Sequence, residues 1–156
     1  MQREIEFRVW DTERNQFVGD CEITFAHYGD TKITVSPNSI DYIHDSCHNG
    51  GPQRGRFIVQ QFTGLKDKSG EGNEVFEGDI FEVVFSDTPN GYRRLGREST
   101  YIFIKAVVVF KFGQFAVEFM HPELKKIVYT NLSIFLKNDE KIVLGNIYEN
   151  SEMIEK

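Results

Sequence analysis

The run Thr100–Phe112, TYIFIKAVVVFKF, constrains this chain more than any other stretch. It is dense in β-branched and aromatic residues, which pack well on a pleated surface. Only Gly113-Gln114 separates it from a second β-prone run, Phe115–His121. Two strand-like runs joined by two residues form an antiparallel hairpin, here of the kind with glycine at the first turn position. The 14 Phe and 6 Tyr extend the same preference over the whole chain.

The remaining segments follow suit. Glu4–Trp10 alternates Ile5, Phe7 and Val9 with Glu4, Glu6, Arg8 and Trp10, the pattern of a half-buried strand. Asp11–Asn15 is a turn, and Gln16–Val18, Cys21–His27 and Thr31–Val35 continue a meander of short strands. Ser36–Arg56 loses periodicity and reads as a loop, with room for one helical turn from Ile40 to Ile43. Phe57–Phe62 and Asp79–Phe85 are strands, Ser86–Ser99 is a second polar loop, and Lys126–Tyr129 is short and β-prone. Asn131–Leu136 suits a single helical turn capped by Asn131 or Ser133, Lys141–Tyr148 a last strand, and Glu149–Lys156 a polar tail. The expectation is an all-β fold: an N-terminal antiparallel meander packed with a C-terminal small SH3-like barrel, with one or two short helical turns. Its divisions are 1–62, a connecting loop 63–76, the barrel 77–148 and the tail 149–156, or the whole as one integrated domain. At 156 residues the chain can bury roughly 68–70% of its unfolded surface without staples.

Between the two halves lies FTGLKDKSGEGNEVFEGD, Phe62–Asp79. Gly64, Gly70, Gly72 and Gly78 match no phosphate-loop spacing, and a strand follows where such loops lead into a helix. The reading is turn machinery: a reversal at Thr63-Gly64, a solvated loop Lys66–Asn73, and a turn Glu77-Gly78-Asp79 into the barrel.

Other constellations are weaker. His44, Cys47 and His48 offer soft metal donors, but a tetrahedral site needs a fourth ligand, and Cys21, His27 and His121 show no paired spacing. They read as an incidental set, with no metal or cofactor expected. Cys47 and His48 are chain neighbours and do not face each other as nucleophile and base, and no nucleophile elbow occurs. Asp79, Glu82, Asp139 and Glu140 give no reason to single out an acid–base pair, so no enzymatic activity is expected. Tyr92, Arg93, Arg94 and Arg97 form the one basic cluster, suited to nucleic acid or to an acidic protein partner. The net charge of −6 opposes a broad grip on phosphates. Two cysteines, no apolar leader at the N-terminus and no membrane-length apolar run predict a soluble cytoplasmic protein with no membrane partner.

Three segments together resemble the YopX-like family of bacteriophage and prophage proteins: Arg3–Asp11 (REIEFRVWD), Gln60–Asp79 (QQFTGLKDKSGEGNEVFEGD) and Leu144–Asn150 (LGNIYEN). They keep the family's order across nearly the whole chain, and QFTGLKDKSG followed by EGDI is specific. The link Glu71–Phe76 departs from the pattern by being slightly longer. The resemblance implies a mostly β, barrel-containing homo-oligomer working in a bacterial host, with an unidentified host or phage protein as partner. It implies no catalytic or cofactor residue. Family-motif positions are Gln61, Thr63, Gly64, Leu65, Asp67, Gly78, Asp79, Gly145, Asn146, Tyr148 and Glu149. Asp79 is suited to hold its turn, and Asn146 has donors and acceptors enough to tie its strand to that turn. The Gly78-Asp79 and Gly145-Asn146 segments are therefore expected on neighbouring strands. The leading functional expectation is a non-enzymatic, self-associating protein-interaction module; the alternative is a nucleic-acid-binding barrel using the 91–97 loop.

Overall fold

The computed structural model describes residues 6–19, 21–28, 30–37, 56–86, 101–138 and 141–154. It is mainly β and antiparallel, and chain contacts divide it into two units at Gln61/Phe62. The helical turn read at Ile40–Ile43 lies outside the described residues.

In the N-terminal unit, β1 (Phe7–Asp11) pairs on one side with β2 (Gln16–Val18) and on the other with the start of β5 (Phe57–Lys66). Val9 and Val18 form a small core under Cys21, Phe57 and Val59. The alternation in Glu4–Trp10 predicts one buried face, but Trp10 on the opposite face is buried as well, with Phe17 edge-on at 4.9 Å. The hairpin β3 (Cys21–Tyr28) and β4 (Asp30–Pro37) keeps an unbroken register from Cys21↔Pro37 to Tyr28↔Asp30.

The C-terminal unit is a five-stranded sheet in the order β10-β9-β8-β7-β11. Its members are β7 (Asp79–Ser86), β8 (Tyr101–Lys111), β9 (Gln114–Met120), β10 (Ile127–Asn131) and β11 (Gly145–Asn146). Three meander strands, a fourth, a helical turn and a last strand returning to the first is the SH3-like succession, here as a half-barrel. Phe81, Ala106, Val108 and Val117 on the inner face, joined by Val75 from outside the sheet, pack against Leu132, Phe135 and Leu136 of the helix α1 (Leu132–Asn138). Phe81 is fully buried and meets Phe135 edge-on at 5.5 Å; a side chain so placed contributes about 1.5–3 kcal/mol. Asn131 is the cap of α1, its Oδ1 accepting from the N–H groups of Ser133 and Ile134.

Three expectations are corrected. The chain does not reverse at Thr63-Gly64. β5 runs on to Lys66, and Gly64 (φ 79°) absorbs a bulge between the Phe62↔Phe76 and Lys66↔Glu74 pairs. Its partner there is β6 (Glu74–Phe76), a strand hidden in the sequence among glycines and charges. The β8–β9 turn is made by Phe112 and Gly113, both at positive φ (54° and 76°), so glycine takes the second turn position. Lys141–Tyr148 is strand only at Gly145–Asn146; before it, Lys141 and Val143 bond to the Asp67–Lys68 loop, and Leu144 N–H donates to Ile80 O of β7. The expected polar tail contains a 3-10 turn, Ser151–Met153.

Candidate functional site

The family-motif residues gather in the C-terminal unit into two polar knots. The first centres on Asp67, at the end of β5. Its Oδ1 accepts from Ser69 Oγ (2.6 Å), Ser69 N–H (3.1 Å) and Asn73 N–H (2.8 Å), which folds Lys68–Gly72 into a tight loop. Its Oδ2 accepts from Val143 N–H at 3.1 Å, and Lys68 N–H donates to Lys141 O at 2.8 Å. Burial pushes the Asp67 carboxyl up, but these donors outweigh it and hold the group below the usual carboxylate range.

Asp79, 1% exposed, is the centre of the second knot. Its Oδ2 accepts from Phe76 N–H at 2.7 Å, closing the β6–β7 turn, and its Oδ1 accepts from Asn146 Nδ2 at 3.1 Å. Asn146 stands directly opposite Asp79 in the β7–β11 ladder, so the two segments expected on neighbouring strands pair residue to residue. Asn146 Oδ1 then accepts from Tyr148 N–H, and Asn150 Oδ1 accepts from Asn146 N–H. Gly78, in the turn before β7, donates to Val108 O of β8 and accepts from the N–H of Ile147, just past β11. A Cβ at Gly145 would press into the Asn150 carboxamide, 2.8 Å from its Cγ. Burial, with the Glu77 charge second, raises the Tyr148 hydroxyl above its ordinary pKa. Thr63 Oγ1 donates to Val75 O at 2.7 Å, and Leu65 packs on the core. Gln61 is half-buried opposite Phe7 in the other unit, and Glu149 is exposed.

The chemistry of both knots is that of staples. Each carboxylate oxygen faces backbone or carboxamide donors at bonding distance, and among the described residues no buried side-chain nitrogen or oxygen lacks a partner. Of the other acid–base candidates only Glu82 is among the described residues, and it has a partner of its own. Glu82 pairs with Lys105 at 2.7 Å, and Asp139 and Glu140 lie outside the described residues. So do His44, Cys47, His48, Tyr92, Arg93, Arg94 and Arg97. Cys21 packs beside the Val9–Val18 core, and His121 Nδ1 accepts from the N–H groups of Glu123 and Leu124.

Sequence reasoning missed a third polar centre, in the N-terminal unit. Arg56 forks onto Asp11, Nε to Oδ1 at 3.0 Å and Nη2 to Oδ2 at 2.8 Å, with Asp11 fully buried. Glu13 and Arg14 N–H groups also reach Oδ1. Burial raises the Asp11 carboxyl, while Arg56 and these N–H groups together hold it below its ordinary value. The two residues lie 45 positions apart, and only the Asp-initiated turn was readable.

A second kind of surface faces away from the core. The outer side of the five-stranded sheet exposes Val84, Tyr101, Phe103 (61%), Met120, Ile127 and Tyr129. Part of it is a groove of about 790 Å³ between β8–β10 and the 3-10 turn, walled by apolar side chains such as Phe103, Met120, Ile127 and Met153 together with the charges of Lys105 and Glu118. At the hairpin tip Phe112 is 83% exposed, its ring edge-on to Tyr129 at 5.7 Å.

The fold and its knots define a small mainly-β protein whose motif residues stitch a half-barrel shut and whose outer face exposes large apolar side chains beside the Glu82–Lys105 pair. The chain belongs to the YopX family: the family described as YopX protein matches residues 6–155. It is similar to the crystal structure of protein EF1440 from Enterococcus faecalis, at 25% identity over 99% of this chain and 100% of that one, with a TM-score of 0.52. No curated protein matches it. Among the described residues, no helix is long and apolar enough to cross a membrane.

Proposed function

We propose that this YopX-family chain is a phage- or prophage-encoded, non-enzymatic protein-interaction module that self-associates in the cytoplasm of a bacterial host. The observation that carries the reading is the outer face of the C-terminal sheet, where Tyr101, Phe103, Met120 and Ile127 stand exposed together. Large apolar side chains exposed on one sheet face are what a contact site on a folded protein displays. The aromatic and methionine content of this face is that of interface centres. The engagement of Asp67 and Asp79 as acceptors for their own loops supports a structural role for the motif. Light scattering at tens of micromolar tests the reading: an oligomer is expected, and a monomer refutes it.

A further inference from the structure

The edge of the five-stranded sheet is made by β10, which pairs with β9 alone among the described residues. His121 N–H donates to Lys126 O at 2.9 Å. Antiparallel pairs alternate, so Lys126, Val128 and Thr130 turn their backbone groups to β9, while Ile127, Tyr129 and Asn131 turn theirs outward. Within its own sequence this edge carries none of the usual protections. Ile127–Asn131 (IVYTN) contains no charge and no proline, and its register against β9 has no bulge.

Phe112 adds a second anomaly. It takes φ 54° at the β8–β9 turn, a conformation that suits Asn or Gly and strains a bulky side chain. Its ring is nevertheless held in solvent, against Tyr129. Among the described residues Tyr129 is its one ring contact, and that ring itself stands on the edge strand, so the strain and the exposure of Phe112 point to function at this edge.

We propose that β10 pairs antiparallel with β10 of a second copy, Tyr129 facing Tyr129 across a twofold axis, with Phe112 as the apolar anchor. The proposal rests on the self-association inferred above and names its surface. In this register Ile127 of each copy stands opposite Asn131 of the other. Asn131 holds the end of β10 nearest the hairpin tip, its Nδ2 donating to Gln114 Oε1 at 2.6 Å. Each Phe112 thereby meets the exposed Ile127 of its partner copy, so one patch is complementary to itself, as a twofold contact requires. The electrostatics agree: the paired segments are uncharged, and Lys126 of each copy falls opposite Leu132 of the other, well away from the second Lys126.

Two variants test this alongside the unmodified chain. Tyr129→Cys sets thiols at a position where Cα atoms of such a pair are about 5.5 Å apart, within disulfide reach. Mild oxidation should give a covalent dimer that the unmodified chain, with its own Cys21 and Cys47, does not. Phe112→Asn installs the favoured Asn-Gly turn. It should weaken association at least about tenfold, as for loss of an aromatic anchor, without lowering the melting temperature of the isolated subunit. An associating Tyr129→Cys chain that fails to cross-link overturns the β10 pairing and leaves self-association standing. Unchanged association in Phe112→Asn removes Phe112 from the contact. A monomeric unmodified chain overturns both proposals.

Discussion

Asp79→Ala offers the most direct test of how the half-barrel is held shut. The substitution deletes the acceptor of hydrogen bonds from Phe76 N–H at 2.7 Å and Asn146 Nδ2 at 3.1 Å, at a site 1% exposed. Each buried donor left without its acceptor costs about 1–3 kcal/mol, and the bond itself is lost besides. The expected cost is about 3–5 kcal/mol, a large share of the roughly 5–15 kcal/mol that holds a typical domain. Asn146→Ala loses the same Asp79 bond and the acceptor for Tyr148 N–H, and should cost about 2–3 kcal/mol. Because one bond is counted in both single variants, the double variant should fall short of their sum by about 1.5–3 kcal/mol. Urea unfolding of all four proteins by far-UV circular dichroism measures this. Asp79→Asn should not rescue: an amide that accepts from Phe76 N–H presents its own donors to Asn146 Nδ2. Additivity within about 0.5 kcal/mol would show that carboxylate and carboxamide act independently, and the stitching account would fail.

Three further outcomes are expected. Arg56→Met leaves the Asp11 carboxylate buried without its fork and should cost about 3–5 kcal/mol near neutral pH. Since burial is the force that raises that carboxyl, the difference from the unmodified chain should shrink as pH falls towards 4 and Asp11 is protonated; a pH-independent difference would refute this. Asp67, with a lowered native pKa, contributes stability that is full above the unfolded carboxylate value of about 3.9 and is lost as pH falls through the native one. Melting temperatures of Asp67→Asn should accordingly depend less on pH in the acid range, and an unaltered acid limb counts against the Asp67 knot. Gly145→Ala should cost about 1–3 kcal/mol by crowding Asn150, and Asn150→Ala in the same chain should recover part of it; a neutral Gly145→Ala would show that the approach is loose.

The sequence made the strands legible where alternation was dense and turns were short. Phe57–Phe62, Asp79–Phe85 and Thr100–Phe112 are present with ends moved by a few residues. β6 was illegible because three residues carry no period, and its existence depends on a bulge at Gly64 that lets β5 continue. Phe112 was misplaced because propensity assigns positive φ to glycine first, whereas here the register Lys111↔Gln114 puts Phe112 in the turn as well. The site divided similarly. Asp79 and Asn146 could be joined on paper because a Gly-Asp turn and a Gly-Asn strand both ask for partners. Arg56 could not be joined to Asp11, since neither spacing nor period links residues on opposite sides of an aperiodic segment.

The β7–β11 pairing has a consequence for how the chain is made. Asp79 leaves the ribosome 67 residues ahead of the Asn146 that satisfies it. Until that stretch has emerged, the first barrel strand carries a buried-type carboxylate with no carboxamide to meet it. Closing so long a loop is entropically slow. A product truncated before Gly145 would therefore lack its final fastening, so completeness of translation is read out in whether the half-barrel can close. Proteases that sample open chains would remove the fragments first.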